Sequence, residues 1–259
     1  VSWTIATFNV NSVRSRLPVL ERWLNDSKVD VLCLQETKAR DEDFPLQAFV
    51  DMGYFVAFRG QKSYNGVAIA SLEEPDEIVY GFDDGKEPVF DTRALSVRFG
   101  DIWVMNTYVP QGKSIDHDDY LVKQEFLRRT QTTISDRISD GKRVLWVGDM
   151  NVAPEEKDVA NPKNKAKHVC FHRDIRDLFG IVCQGLVDVF RSHRPEEGEF
   201  SFWDYRVKNA LDRNIGWRID HILASPDLAK LSSDSWIYRD PRGWEKPSDH
   251  TPVLASFDL

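Results

Sequence analysis

Apolar residues recur along this chain in two rhythms. Uninterrupted runs rich in Val, Ile and Leu read as strands buried on both faces, and the clearest is Val144, Leu145, Trp146 and Val147. Similar runs predict strands over residues 4–8, 29–34, 54–58, 67–70, 95–99, 102–107 and 253–257, with shorter ones over 186–190, 201–203 and 218–224. Strand character already covers the opening residues, Val1 to Ile5. Gly100 and Asp101 close two of these runs into a hairpin. Elsewhere the spacing turns helical. Pro18 stands where a helix can begin, followed by Val19, Leu20, Trp23 and Leu24. Helices are also predicted over residues 44–52 and 172–184. Residues 118–140 give the longest, with Tyr120, Leu127, Ile134 and Ile138 on one face.

Strands dominate and helices are interspersed, which predicts an α/β sandwich of two sheets face to face with helices outside. No linker-like stretch, repeat or low-complexity run divides the chain, so residues 1–259 are expected to form a single domain. Neither a Gly-x-Gly-x-x-Gly nor a P-loop motif follows any strand, which excludes the common nucleotide-binding signatures.

The polar residues gather where strands end. The run from Val144 stops in Gly148, Asp149, Met150 and Asn151, which could be an ordinary turn. The same construction recurs: Asn9 and Asn11, Glu36 and Tyr108 each follow a predicted strand, Asp220 interrupts one, and Asp249 and His250 precede the last. Strand ends of facing sheets can converge on one rim, a common place for a site. Oxygen donors suit a hard cation such as Mg²⁺, and Glu36 and Asp249, with Asn11, are the candidate ligands. Hydrolysis of a phosphodiester needs a positioned water, a base and donors to the phosphate. Asp149 is the candidate base and Asn151 its positioning partner, while Asn9, Tyr108 and His250 are candidate donors. A carboxylate beside His250, such as Asp220, would favour the imidazolium.

Composition adjusts this picture little. A formal charge of -8 argues against the broad basic footprint of many nucleic-acid binders, but a local basic rim can work within an acidic total. Three cysteines, Cys33, Cys170 and Cys183, do not make a disulfide framework, and a reducing cytoplasm is expected, without a signal-peptide pattern or an apolar run of membrane-spanning length. His168, Cys170 and His172 would share a strand face, but no fourth ligand follows at zinc-finger spacing, so zinc is the minor reading.

Six blocks occur in one order: Phe8 to Ser12, Leu34 to Lys38, Tyr108 to Gly112, Gly148 to Asn151, Trp217 to Asp220 and Ser248 to His250. Together they resemble the exonuclease III family of DNA-repair nucleases, the class II AP endonucleases, over essentially the whole chain. The resemblance implies a four-layered α/β sandwich, deoxyribonuclease I-like, and an Mg²⁺-dependent phosphodiesterase on duplex DNA, with Mn²⁺ as a substitute. It implies incision 5′ to abasic sites, 3′–5′ exonuclease action and removal of 3′ blocking groups by a monomer acting at the nucleoid. Glu36 and Asp249 would lie near the metal, Asn11 stands where some relatives have Asp, and His250 with Asp220 matches a His–Asp pair. Asp149 matches the residue assigned to the attacking water; Asn9, Tyr108 and Asn151 match phosphate-orienting residues.

The resemblance also implies that Phe202, Trp217 and Ile219 wall a pocket for a base-less sugar, and that Arg14, Lys62, Tyr64, Asn65 and Lys113 lie where relatives touch the DNA backbone. His168 departs from relatives that carry a smaller residue there; beside the pocket it would hinder abasic nucleotides and favour plain 3′ ends. Two other readings remain: a phosphatase of the wider superfamily acting on phosphoinositide or lipid head groups, and a DNA-binding or scaffold protein with a dead site. The block Phe202 to Arg206 and the short length favour DNA over the first, and the intact polar set disfavours the second.

Overall fold

The computed structural model describes residues 2–259, so the strand expected at Val1 falls outside the described residues there and begins at Ser2. In chain order the elements are β1 (Ser2–Asn9), α1 (Val13–Asp26), β2 (Val31–Gln35), α2 (Leu46–Asp51), β3 (Phe55–Arg59), β4 (Val67–Ser71), β5 (Glu77–Tyr80), β6 (Ala94–Phe99) and β7 (Ile102–Tyr108). They continue with α3 (Asp118–Ser139), β8 (Arg143–Asp149), α4 (Arg173–Val182), β9 (Val187–Asp188), α5 (Val189–His193), β10 (Asp220–Ala224), α6 (Pro226–Ala229), β11 (Ser232–Ile237) and β12 (Val253–Asp258). The strands form two six-stranded mixed sheets, ordered β11-β12-β1-β2-β4-β3 and β5-β6-β7-β8-β10-β9.

Each sheet is built around one parallel pair, β1 with β2 and β7 with β8, flanked by antiparallel neighbours. Successive side chains on a strand point to opposite faces, and both faces here are covered. Ile5, Val31 and Cys33 meet Val104, Leu145, Val147 and Ile222 in the core between the sheets. The opposite faces pack outward: Phe8, Leu32 and Leu34 join Leu20 and Trp23 of α1, while Val144 and Trp146 join Phe126 of α3 and Phe179 of α4. The result is the expected four layers.

The same alternation aims the chemistry. Beyond Ile5 the inner face of β1 carries Thr7 and then Asn9; beyond Leu145 and Val147 that of β8 carries Asp149; β10 enters with Asp220 before Ile222. One layer below, Gln35 donates to Thr7 Oγ1 (2.9 Å) and to Asn106 Oδ1 (2.7 Å), and Asn106 returns a bond to the Leu34 carbonyl (2.9 Å). These buried bonds join the two sheets beneath the rim, where a slipped register would leave buried polar groups unmet.

Several boundaries differ from the sequence expectation. The first helix starts at Val13, because Ser12 caps the Ser15 N–H, and Pro18 lies inside it. The predicted helix 44–52 is shortened to Leu46–Asp51: it starts only after Pro45, which disfavours helical backbone at Phe44, and a separate 3-10 turn covers Asp41–Asp43 before it. The strand expected over 186–190 lasts two residues, since Asp188 caps α5 by accepting from the Arg191 N–H (3.1 Å). Residues 201–203 form only isolated bridges, Phe202 pairing with Trp217 and with His250. The strands β5 and β11 escaped the pattern because they are half-exposed edge strands: β11 is mostly polar, and β5 offers only the short run Ile78, Val79 and Tyr80. No helix among the described residues is long and apolar enough to cross a membrane.

Candidate active site

The rim sits where β1, β2, β7 and β8 end and the antiparallel β10 and β12 begin. Gly148 makes its geometry possible. Its φ is +138°, and a Cβ there would lie 2.0 Å from the Thr107 carbonyl oxygen, so only glycine lets β8 run so close to β7 just before Asp149. Asn11, Glu36, Lys38 and Asn151 all have positive φ, between 44° and 51°. Such backbone is uncommon outside glycine and clusters at functional sites.

Asn9 is the hub. Its Nδ2 donates to Glu36 Oε1 and to Asp149 Oδ2, each at 2.9 Å, so both amide hydrogens are engaged. Its Oδ1 accepts from the Asn11 N–H (3.0 Å). Asn11 Nδ2 reaches Asp249 Oδ1 at 3.1 Å. Asp149 Oδ1 accepts from the Asn151 N–H (3.0 Å), and the Asn151 side chain donates to the Val109 carbonyl (2.9 Å). His250 Nδ1 lies 2.8 Å from Asp220 Oδ2, which also accepts from Ser201 Oγ (2.6 Å), and His250 Nε2 lies 3.7 Å from Asp149 Oδ2.

Burial and neighbouring charge set the protonation states. Burial raises the Asp149 carboxyl far above the ordinary carboxylate range, with His250 pulling it back and Asp220 pushing it further. Burial alone would lower His250, but Asp220 and then Asp149 outweigh it and hold the imidazolium well above the usual histidine range. Burial, together with Glu36 and Asp149, keeps the Tyr108 hydroxyl protonated. For Glu36, burial is outweighed by the bonds from Asn9 and Lys38, which lower its carboxyl.

Two groups of ligand atoms present themselves to a cation. Asp149, Asp220 and His250 bring three within 4.8 Å of one another. A protonated His250 repels a cation, so this trio reads better as a hydrogen-bonded acid–base set. Glu36, Asn11 and Asp249 can offer oxygen to a hard cation, and a cation already stands on two of them: the Lys38 ammonium lies 2.8 Å from Glu36 Oε2 and 2.6 Å from Asn11 Oδ1. His168, Cys170 and His172 form no such group among the described residues. His172 instead caps α4.

A cavity of about 410 Å³ opens over the rim, lined by Glu36, Tyr108, Asp149, Asn151, Asp249 and His250 on one side and by Phe202, Trp217, Ile219 and His168 on the other. The Phe202 ring packs 4.7 Å from His250, and the His168 ring 4.5 Å from Trp217. Burial and the nearby Lys165 lower His168 to about 4, so it is neutral near pH 7. Arg14, Lys62, Tyr64, Asn65 and Lys113 line no part of this cavity. A larger groove of about 590 Å³ runs along α3, but Arg129 within it is neutralised by Asp84 and Glu87.

Some members of the site escaped the sequence reading. Arg93 lies 4.6 Å over the Tyr108 ring and donates to its carbonyl (3.1 Å). Lys123, fully buried in α3, donates to the carbonyls of Gln111 (3.2 Å), Asn151 (2.7 Å) and Val169 (2.8 Å), tying three site loops together. Its signal was present: a lysine three residues after Tyr120 on an otherwise apolar face.

This sandwich and rim define a class of hydrolytic enzymes. The sequence profile of the Endonuclease/Exonuclease/phosphatase family matches residues 6–250, and the chain belongs to that family. Within it, exodeoxyribonuclease III of Haemophilus influenzae is 35% identical over 264 residues, covering 97% of this chain and 98% of that protein. The structure of an AP endonuclease from Archaeoglobus fulgidus superposes with a TM-score of 0.95 at 46% identity, covering 99% of this chain and all of that one. A 3′ phosphatase from Neisseria, solved with product DNA hairpin, gives 0.92 at 33% identity, with 99% and 100% covered.

Proposed function

We propose that this chain is a divalent-metal-dependent DNA repair nuclease. It hydrolyses phosphodiesters of duplex DNA, incising 5′ to abasic sites, degrading 3′ ends and removing 3′ blocking groups. The carrying observation is the single rim on which Asn9 joins Glu36 to Asp149 while Asp149 faces the Asp220–His250 pair. The names of the similar proteins, an exodeoxyribonuclease III, an AP endonuclease and a 3′ phosphatase, support all three activities. The enzyme acts as a monomer in the cytoplasm, at the nucleoid.

In this reading Glu36, Asn11 and Asp249 hold Mg²⁺, or Mn²⁺ in its place. Bound there, the ion neutralises charge on the phosphate. Asp149 in its ionised form takes the proton of the attacking water, with Oδ1 fixed by the Asn151 N–H. His250, Tyr108 and Asn151 donate to phosphate oxygens, and Asn9 exchanges one of its carboxylate partners for a phosphate oxygen. Water adds to phosphorus as the bond to the departing sugar oxygen breaks, and that oxygen takes up a proton from solvent to leave a 3′-hydroxyl at an incised strand. Phe202, Trp217 and Ile219 form an apolar wall that admits a flipped sugar lacking a base. Arg14, Lys62, Tyr64, Asn65 and Lys113 position the DNA backbone.

The test compares duplexes carrying an abasic analogue, a recessed 3′-hydroxyl or a 3′-phosphate, with Mg²⁺ and with EDTA. Each is expected to be processed only with metal. Absence of metal-dependent turnover on all three would overturn the proposal. One observation favours a narrower reading, a 3′-end exonuclease and 3′-phosphatase with weak abasic-site activity. The neutral His168 ring, stacked on Trp217, occupies part of the wall where a base-less sugar would lodge.

A further inference from the structure

The Lys38 ammonium stands between Glu36 Oε2 (2.8 Å) and Asn11 Oδ1 (2.6 Å), and Asn11 carries the chain of contacts on to Asp249 Oδ1 (3.1 Å). The backbone holds it there. The Lys38 N–H is bonded to the Asn65 carbonyl (2.9 Å), and the Glu36 and Thr37 carbonyls accept from the Ser12 and Val13 N–H groups (2.8 and 3.0 Å). Both Glu36 and Lys38 adopt left-handed backbone, with φ of +50° and +51°. That conformation is costly for such residues and persists only where the surroundings enforce it.

A lysine amine is a compact, strongly hydrated cation with three donors and no acceptor. Here it takes up two of the oxygens that a hard divalent ion would need. Magnesium lies about 2.0–2.1 Å from its oxygen ligands, so an ion taking both Glu36 Oε2 and Asn11 Oδ1 would stand close beside the ammonium that now bridges them. The two cations compete for these oxygens, and at such close range their like charges repel. We propose that Lys38 is a built-in competitor for the metal site: its ammonium holds the Glu36–Asn11 pair in the absence of metal, and metal binding expels it. This rests on the metal-site reading above.

The expelled ammonium remains on the rim, where an anionic phosphodiester offers it a new partner. Metal and DNA phosphate therefore help each other bind, because each removes Lys38 from the other's disfavoured arrangement, and such coupling is reciprocal.

Two measurements test the proposal. In calorimetric titration with Mn²⁺, Lys38→Met is expected to bind at least about tenfold more tightly than the wild type, because the competitor is gone. On the wild-type protein, acetylation footprinting read by mass spectrometry is expected to show Lys38 modified faster once Mg²⁺ is added. An unchanged or weaker Mn²⁺ affinity in a variant with wild-type circular dichroism would overturn the proposal. So would a Lys38 modification rate indifferent to Mg²⁺, a result that does not depend on how the variant folds. Absence of saturable Mn²⁺ binding in both proteins would instead overturn the metal-site reading itself.

Discussion

Asn9 and Asp149 show how much one side chain can organise. A carboxamide with two N–H donors is placed between two carboxylates and holds both at 2.9 Å. Aspartate or glutamate at position 9 would put a third negative charge there. His168 is the residue on which substrate choice is proposed to turn. Its ring lies against Trp217 rather than in solvent, and it is neutral near pH 7. Replacing it with glycine enlarges the wall without touching Asp149 or His250. His168→Gly is expected to raise abasic-site incision relative to removal of undamaged 3′-terminal nucleotides, by roughly tenfold if the gain resembles that of opening an apolar pocket by about a methylene or two. The ratio of the two rates, measured on matched duplexes, checks this; an unchanged ratio would remove His168 from the choice of substrate.

At the scale of elements, the site depends on how the loop after β8 is fastened. Asp158, fully buried, accepts from Arg218 Nε (2.7 Å) and from Arg191, and Arg218 also pairs with Asp188 (2.8 Å). This cluster fixes the loop carrying His168 to the segment carrying Trp217 and Ile219. Burial opposes the Asp158 charge, but Arg218 and Arg191 outweigh it and lower its carboxyl from 3.8 to about 2. A carboxyl lowered in the folded state stabilises fully above its unfolded pKa, and that contribution fades as pH falls from about 4 through about 2. The displacement corresponds to about 2–3 kcal/mol. Asp158→Asn is therefore expected to unfold at lower urea near pH 7, with the gap from wild type closing towards pH 2. A gap that stays constant with pH would show that the carboxylate charge is not what holds the loop.

These elements also mark what was legible in the chain. Val144 to Val147 and residues 102–107 read as buried strands because both their faces are apolar, and β8 and β7 lie there. The rim was legible because Asn9, Glu36, Tyr108 and Asp149 break off such runs abruptly. The edge strands β5 and β11 were not, since β11 is mostly polar and the apolar run of β5 is only Ile78 to Tyr80. Lys38 and Lys123 were missed for a related reason. A lysine is read as solvated surface, and only the fold reveals which carbonyls or carboxylates replace its water.

The whole molecule carries a charge of -8, yet the proposed partner is a polyanion. The conflict resolves by distance, since exposed charges more than about 8 Å apart are largely screened at physiological salt. Binding then depends on local cations, and Arg14, Lys62 and Lys113 are the proposed phosphate contacts. Three such contacts give a slope of log affinity against log salt of about -2.7 on duplex DNA. Fluorescence anisotropy with the Asp149→Asn protein, across a salt series, is expected to give that slope or a steeper one. A flat dependence would place the DNA elsewhere or remove it as the partner.

The central claim is that Asp149 activates the water that cleaves the DNA strand. It is tested most directly by single-turnover cleavage of an abasic-analogue duplex in Mg²⁺ by wild type and Asp149→Asn, with duplex affinity measured in parallel. The carboxamide can take the place of the carboxylate but cannot accept the proton. Cleavage is expected to fall by roughly 100- to 10,000-fold, the span of a lost general base, while affinity stays within a few-fold of wild type. Near-normal cleavage by the folded variant would contradict the account.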